Sequence, residues 1–187
     1  MLAGGESRRF GRDKAAEIVA GTSLLSRAVA TLSEVFEHVV VVSSRARAVP
    51  AWFVLTDLRP GLGPLAGLET ALEHAARHGL DGAFVLACDL PLVDARIVRE
   101  VRDSMGLADA AAPLRVGTPP VEPLCAAYRT SCLPAVRSAL DDGELAVHRL
   151  FAQVAGVAVQ VGEGRLVNVN RPSDIDRAVE GLRHRRR

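Results

Sequence analysis

Chemistry concentrates at the start of the chain, in Leu2-Ala3-Gly4-Gly5-Glu6-Ser7-Arg8-Arg9-Phe10-Gly11-Arg12-Asp13-Lys14. Gly4, Gly5 and Gly11 lack a Cβ and let the backbone close on a ligand. Successive N–H groups in such a loop form a concave anion site. Arg8, Arg9, Arg12 and Lys14 supply charge suited to a polyphosphate. Lys14 is the only lysine among the 23 Lys and Arg residues. Arginine therefore serves wherever a generic cation suffices, and the lone lysine marks a place for a compact point charge. A basic Gly-rich turn is also a common surface loop, so phosphate binding and plain connection both stand at this point. The spacing matches neither the P-loop nor the Gly-x-Gly-x-x-Gly dinucleotide fingerprint.

Asp89 closes the apolar run Ala83-Phe84-Val85-Leu86-Ala87-Cys88 and precedes Leu90-Pro91. A carboxylate ending a buried strand is poorly explained by packing and suits a hard cation such as Mg²⁺, which shares its shell with phosphates and water. The alternative is a turn or cap aspartate. Asp57 ends the shorter run Trp52–Leu55, where a turn residue is the simpler reading. Asn168-Val169-Asn170 alternates, so both amides share one face with Val169 in the core. They could bind a ligand or only mark a turn into the helix opened by Pro172.

These residues need elements to hold them. Ser23 opens a helical stripe through Leu24, Leu25, Ala28, Val29 and Leu32 that ends near Phe36. His38–Ser43 is a strand-length apolar run, as in a sheet covered on both faces. Pro64 suits the first turn of a helix through Leu65, Leu68, Leu72 and Ala75 to Gly79. Asp94 caps a helix through Ile97, Val98 and Val101. Further on, the pattern predicts a strand near Pro123–Tyr128, helices over Ser131–Leu140 and Val147–Val154, and a strand over Val157–Val161. Strands alternating with helices predict an α/β fold with a mostly parallel central sheet and helices on both sides. Ligands in such sheets lie beyond the strands' carboxyl ends, which puts the glycine loop, Asp57 and Asp89 on one edge.

The chain has 187 residues, enough for one well-packed domain. It is 49% hydrophobic but 4% aromatic, so Ala, Val and Leu must build the core. A net charge of +1 argues against a general nucleic-acid binder. No apolar run reaches membrane-span length and no secretory signal precedes the loop, so a soluble cytoplasmic protein is expected. Cys88, Cys125 and Cys132 show no metal spacing and are expected reduced. The basic stretch 183–187 is expected to be a solvated tail. A glycine loop of this kind normally follows a buried strand, yet only Met1 and Leu2 precede it. The expectation is that the first strand is missing and the true start lies upstream, since losing a central strand exposes two sheet edges.

The opening stretch resembles Leu-Ala-Gly-Gly-x-Ser-x-Arg-Met-Gly-x-Asp-Lys, the signature of the molybdenum cofactor guanylyltransferases, with Phe10 in place of Met. Cys88-Asp89-Leu90-Pro91 resembles the family's Cys-Asp-x-Pro motif. Gly63-Pro64-Leu65-Ala66-Gly67 after Asp57, and Asn168-Val169-Asn170, also match. Pro123-Leu124, Tyr128 and Arg149 match the acceptor-side region loosely, and Glu122 stands where relatives often show Gln or His. The resemblance implies a single Rossmann-like nucleotidyltransferase domain that transfers GMP from GTP to the molybdopterin form of the cofactor. It implies nucleotide contacts from Leu2, Ala3, Gly4, Gly5, Lys14, Asp57 and Asp89. It also implies catalytic roles for Lys14, Asp89 and Arg9, Mg²⁺ on Asp89, and acceptor contacts from Asn168 and Asn170. Protein partners that deliver the cofactor, or molybdoenzymes that receive it, fit the same picture. A CTP-using or other-acceptor transferase and a non-catalytic nucleotide-binding regulator remain as rivals.

Overall fold

A computed structural model describes residues 1–2, 13–43, 53–162 and 164–184. Ser23 accepts from the Ser26 amide at 3.0 Å and starts α1 (Leu24–Ser33), which buries the expected stripe of Leu24, Leu25, Ala28, Val29 and Leu32. A short hairpin of β1 (Ile18–Val19) and β2 (Thr22–Ser23) leads into it. The strands β3 (Val40–Ser43) and β4 (Phe53–Thr56) pair in parallel. Pro64 sits in the first turn of α2 (Pro64–Arg77), and Asp94 caps α3 (Ala95–Asp103) by accepting from the Ile97 amide at 3.0 Å. Between these helices runs β5 (Gly82–Leu86). The second half contributes β6 (Ala110–Pro113), β7 (Cys125–Arg129), α4 (Leu133–Asp141), α5 (Val147–Gln153), β8 (Gly156–Val159) and α6 (Asp174–His184).

The strands hydrogen-bond as β4-β3 and as β5-β7-β6-β8. Leu2 joins the two sets, forming parallel bridges to Val42 on one side and Ala87 on the other. The resulting sheet has every strand running one way except β7, which is antiparallel to both β5 and β6. The first strand is thus a stub of two residues rather than wholly missing.

Alternation along the strands divides the core in two. Val42, Val85, Ala110, Ala112 and Ala126 pack with Leu65, Leu68 and Leu72 of α2 and with α4 and α5. Val41, Leu86, Ala111 and Cys125 pack with α1 and α3 through Leu25, Val29, Leu32, Ile97, Val98 and Val101. Helices on both faces explain why the strands read as continuous apolar runs. The strand β6 is Ala-Ala-Ala-Pro and escaped the sequence reading, because alanine carries little β signal. Tertiary burial alone makes it a strand, with Ala110, Ala111 and Ala112 all fully buried. Arg183 and His184 belong to the last turn of α6 rather than to a tail, and residues 185–187 lie outside the described residues. Among the described residues, no helix is long and apolar enough to cross a membrane. Cys88, Cys125 and Cys132 are thiols and not disulfides.

Candidate active site

The strand directions gather polar side chains on one edge of the sheet. Lys14 lies in a single 3-10 turn, Lys14–Ala16, started by Asp13, whose carboxylate accepts from the Ala15 amide at 3.1 Å. Its Nζ donates to Asp89 Oδ2 at 2.9 Å and to Asn170 Oδ1 at 2.8 Å. The Lys14 and Asp89 side chains are only 16% and 19% exposed, so the pair is partly shielded from water. Partial desolvation makes the attraction stronger than that of a surface pair, whose net worth is about 0–1 kcal/mol. Three residues separated by up to 156 positions therefore meet at one ammonium group.

Local backbone contacts hold that arrangement. The Val169 amide donates to the Asp89 carbonyl at 2.8 Å, which ties the Asn-Val-Asn segment to the end of β5. Val169 is fully buried with Val19, Leu24 and Ala178, as alternation predicts. The Asn170 and Arg171 amides both donate to Asp174 Oδ2, at 2.8 and 2.7 Å. Those two amides hold the Asp174 carboxyl below the usual carboxylate range. Asn168 is half-buried one residue before Val169.

Asp57 lies on the same edge, after β4, with its amide donating to the Ser43 carbonyl at 3.1 Å. It is 7% exposed. Burial pushes its carboxyl up, against the opposing pull of the Arg59 amide and the Thr70 hydroxyl. Thr70 Oγ1 lies 3.2 Å from Asp57 Oδ1 and accepts from the Leu58 amide at 2.9 Å, so α2 grips the loop bearing Asp57. Arg59 of that loop pairs with buried Glu69 of α2 at 3.0 Å and with Asp141 of α4. The loop enters α2 through Gly63, whose φ of 79° is strained for a side-chain-bearing residue. Leu2 is buried, and a Cβ on Gly67 would lie 3.0 Å from its Cδ2, so α2 packs closely against the stub at this glycine.

The sequence reading missed Arg115, whose Nη1 donates to Glu122 Oε2 at 2.8 Å. Cys125 pairs with Leu86 and Glu122 donates to the Pro113 carbonyl, which places this ion pair on the same edge, beyond Asp89. Burial pushes the Glu122 carboxyl up, while Arg115 pulls it back. No local pattern announces the pair, because β7 must run antiparallel to bring it there. Tyr128 proves to be a core residue: it is fully buried and donates to the Pro123 carbonyl at 2.8 Å, so it is no acceptor contact. Arg149 pairs with Glu144 on the exposed face of α5. Ala3, Gly4, Gly5 and Arg9 lie outside the described residues.

A sheet wound with helices on both faces, and a lysine–aspartate–asparagine cluster at the carboxyl edge, define a nucleotide-handling α/β protein. Comparison with known proteins gives the family. A model of the MobA-like NTP transferase domain matches residues 1–161. The chain is 37% identical over 182 residues to a probable molybdenum cofactor guanylyltransferase of Deinococcus radiodurans, covering 94% of this chain and 90% of that one. It is 36% identical to a protein of the same description from Opitutus terrae, covering 95% and 92%. Among solved structures it superimposes on molybdopterin-guanine dinucleotide biosynthesis protein A of Archaeoglobus fulgidus with a TM-score of 0.81 at 24% identity, covering 98% and 97% of the two chains. It also superimposes on 2-C-methyl-D-erythritol 4-phosphate cytidylyltransferase of Thermus thermophilus with a TM-score of 0.72 at 20% identity, covering 91% and 94%. These structural likenesses establish the fold. The chain belongs to the MobA-like NTP transferase family and is a nucleotidyltransferase.

Proposed function

We propose that this protein transfers GMP from GTP to the molybdopterin form of the molybdenum cofactor. A terminal phosphate oxygen of the acceptor attacks the α-phosphorus of GTP. The bond from that phosphorus to the β-phosphate bridging oxygen breaks, and the products are the guanine dinucleotide cofactor and pyrophosphate. The observation that carries this reading is the Lys14 ammonium held 2.9 Å from Asp89 and 2.8 Å from Asn170, in a member of this family.

Phosphoryl transfer asks a protein mainly for positioning and charge. Lys14 supplies a point charge for the triphosphate, and its partners aim it. Leu2, Ala3, Gly4 and Gly5 would offer backbone groups to the phosphates, with Arg9 a second cation; these roles rest on the sequence pattern. Asp57, fixed by Thr70 and the Arg59 amide, faces the nucleotide side. Asn168 and Asn170 are assigned to the acceptor side. The acceptor is already an anionic phosphate, so no general base is needed.

A divalent cation fits the donors present: one carboxylate on Asp89 beside the Asn170 carboxamide oxygen, a sparse oxygen set of the kind Mg²⁺ completes with phosphates and water. When bound there, Mg²⁺ would neutralise charge developing on the transferred group. Among the described residues, no group of three or more His, Cys, Asp or Glu could hold a metal.

The test is pyrophosphate release from Mg-GTP with and without molybdopterin cofactor, alongside thermal protection by GTP and by CTP. Acceptor-dependent release with GTP supports the reading. Stronger protection and turnover with CTP would move the assignment to a cytidylyl transfer, and nucleotide binding without release would make the protein a regulator.

A further inference from the structure

The transfer reading leaves the Arg115–Glu122 ion pair without a role. In the sheet, Leu86 of β5 is paired with Cys125 of β7, and the Ala87 amide donates to the Leu124 carbonyl at 2.8 Å. Carried on by two more residues, that register sets Glu122 level with Asp89, one strand spacing of about 5 Å away. Burial is the main force pushing the Glu122 carboxyl up, and the Asp89 charge adds to it. Past β6 the chain forms a small hairpin. The Glu122 amide donates to the Pro113 carbonyl and the Arg115 amide to the Pro120 carbonyl, both at 2.9 Å, with Leu114 bridged to Val121 between them. Side chains two residues apart on a strand share a face, so Arg115 and Glu122 stand on the same face of this hairpin. There Arg115 Nη1 donates to Glu122 Oε2 at 2.8 Å.

The pair is dry at one end and wet at the other: the Glu122 side chain is 5% exposed and that of Arg115 31%. Only Nη1 of Arg115 is engaged. Among the described residues, its Nε and Nη2 have no hydrogen-bond partner. A buried ion pair pays desolvation and often adds little stability over apolar residues, so stability is a weak reason for it. A buried carboxylate behind a wet arginine does aim the guanidinium. With Nη1 held, Nε and Nη2 present two parallel N–H groups, the fork that takes a phosphate bidentately. We propose that Arg115, aimed by Glu122, binds the anionic phosphate of the acceptor beside Asp89 and so selects a phosphorylated acceptor. This inference rests on the transfer reading above and adds to it the group that recognises the second substrate.

Charge on this edge calls for such a cation. An anionic phosphate that attacks a triphosphate meets like charge in its partner, and here it also passes the carboxylates of Asp89 and Glu122. Lys14 is engaged with Asp89 and Asn170 and serves the triphosphate in the transfer reading. Arg149 pairs with Glu144 on the exposed face of α5. Arg115 brings positive charge in from the β6–β7 side, opposite Lys14 across the level of Asp89. A lysine could not replace it in kind. One planar guanidinium keeps Glu122 on one nitrogen and offers two others to the anion, whereas an ammonium is a single point charge.

The experiment measures KM for the molybdopterin cofactor and for GTP by pyrophosphate release, with equilibrium dialysis of the cofactor and thermal protection by Mg-GTP alongside. Arg115→Gln should raise the acceptor KM about tenfold or more, the worth of a charge-assisted hydrogen bond. KM and protection for GTP should stay within about twofold, a split that a merely structural arginine would not produce. Arg115→Lys should recover part of the loss, and Glu122→Gln, which keeps the cation but loosens its aim, should cost less than Arg115→Gln. Arg115→Gln leaves Glu122 buried alone, so the double variant Arg115→Gln/Glu122→Gln repeats the test without a stranded charge. An unchanged acceptor KM in both would overturn the proposal, as would an equal rise in the KM for GTP. If the unmodified protein binds the cofactor but releases no pyrophosphate, the transfer reading alone fails. Dialysis then decides: weaker cofactor binding by Arg115→Gln upholds the anion contact, and equal binding overturns it.

Discussion

The gap between β3 and β5 ends in two different ways. At its carboxyl end, charged groups far apart in sequence converge: Lys14, Asp89 and Asn170 meet within hydrogen-bond distance, and Asp57 is buried against Thr70. At its amino end the same two strands enclose an apolar slot walled by Phe36, Val40, Phe84 and Val85. The stub of Met1 and Leu2 separates them. One end exposes polar groups that are each satisfied by a partner and could exchange that partner for a ligand. The other exposes apolar surface. The polar edge thus owes its geometry to a strand framework whose other end is built by hydrophobic burial, and the two should respond differently to mutation and pH.

The sharpest break comes from Asp89→Asn. It keeps the size of the side chain while removing the charge that faces Lys14, so pyrophosphate release should fall by about 10²- to 10³-fold, the range seen for lost transition-state charge stabilisation. The thermal midpoint should move little, because the slot end is untouched. Near-normal turnover would remove Asp89 from the mechanism.

Thr70→Val is next. It deletes the hydroxyl that serves buried Asp57 and the Leu58 amide, so it should cost about 1–3 kcal/mol of stability and raise KM for GTP more than it lowers kcat. A loss of stability with KM unchanged would reduce Asp57 to a structural residue. Lys14→Arg separates charge from shape. A planar fork cannot place one point charge between Asp89 and Asn170, so kcat/KM for GTP should drop about tenfold or more, equal to roughly 1.4 kcal/mol. Full activity would show that any cation suffices there.

The gentlest probe is pH at the slot end. The Met1 amine sits near 5 in the folded chain against 8.0 in its ordinary state. Between those values the unfolded chain binds the extra proton, so stability rises with pH across the window, by up to about 1.4 kcal/mol per pH unit. Thermal midpoints measured from pH 5 to 8 should climb for the chain as it stands. A flat profile over that window would show that the amine titrates at its ordinary value.

Much of the fold was legible locally. The Ser23 and Asp94 caps, Pro64 at the start of α2 and the apolar runs ending in Ser43 and Asp89 each follow from a short-range rule, and each lies within a residue or two of its expected place. The Ala-Ala-Ala-Pro strand was not legible, because its only strand signal is its surroundings. At the site, Asp89, Lys14 and Asn170 carried motif signals. Arg115 did not, since its partner Glu122 reaches the edge only through the reversed direction of β7.

By itself, the sequence singled out the candidate groups: a glycine-rich basic loop with one lysine, an aspartate closing an apolar strand, and an alternating pair of asparagines. Those follow from residue type and near-neighbour spacing, where propensity and periodicity act. Only the tertiary structure decided that Lys14 spans Asp89 and Asn170, that Tyr128 is core, that Arg115 and Glu122 share the edge, and that an apolar slot lies between β3 and β5. Each of these depends on strand order and direction, and long-range burial sets those rather than any local run of residues.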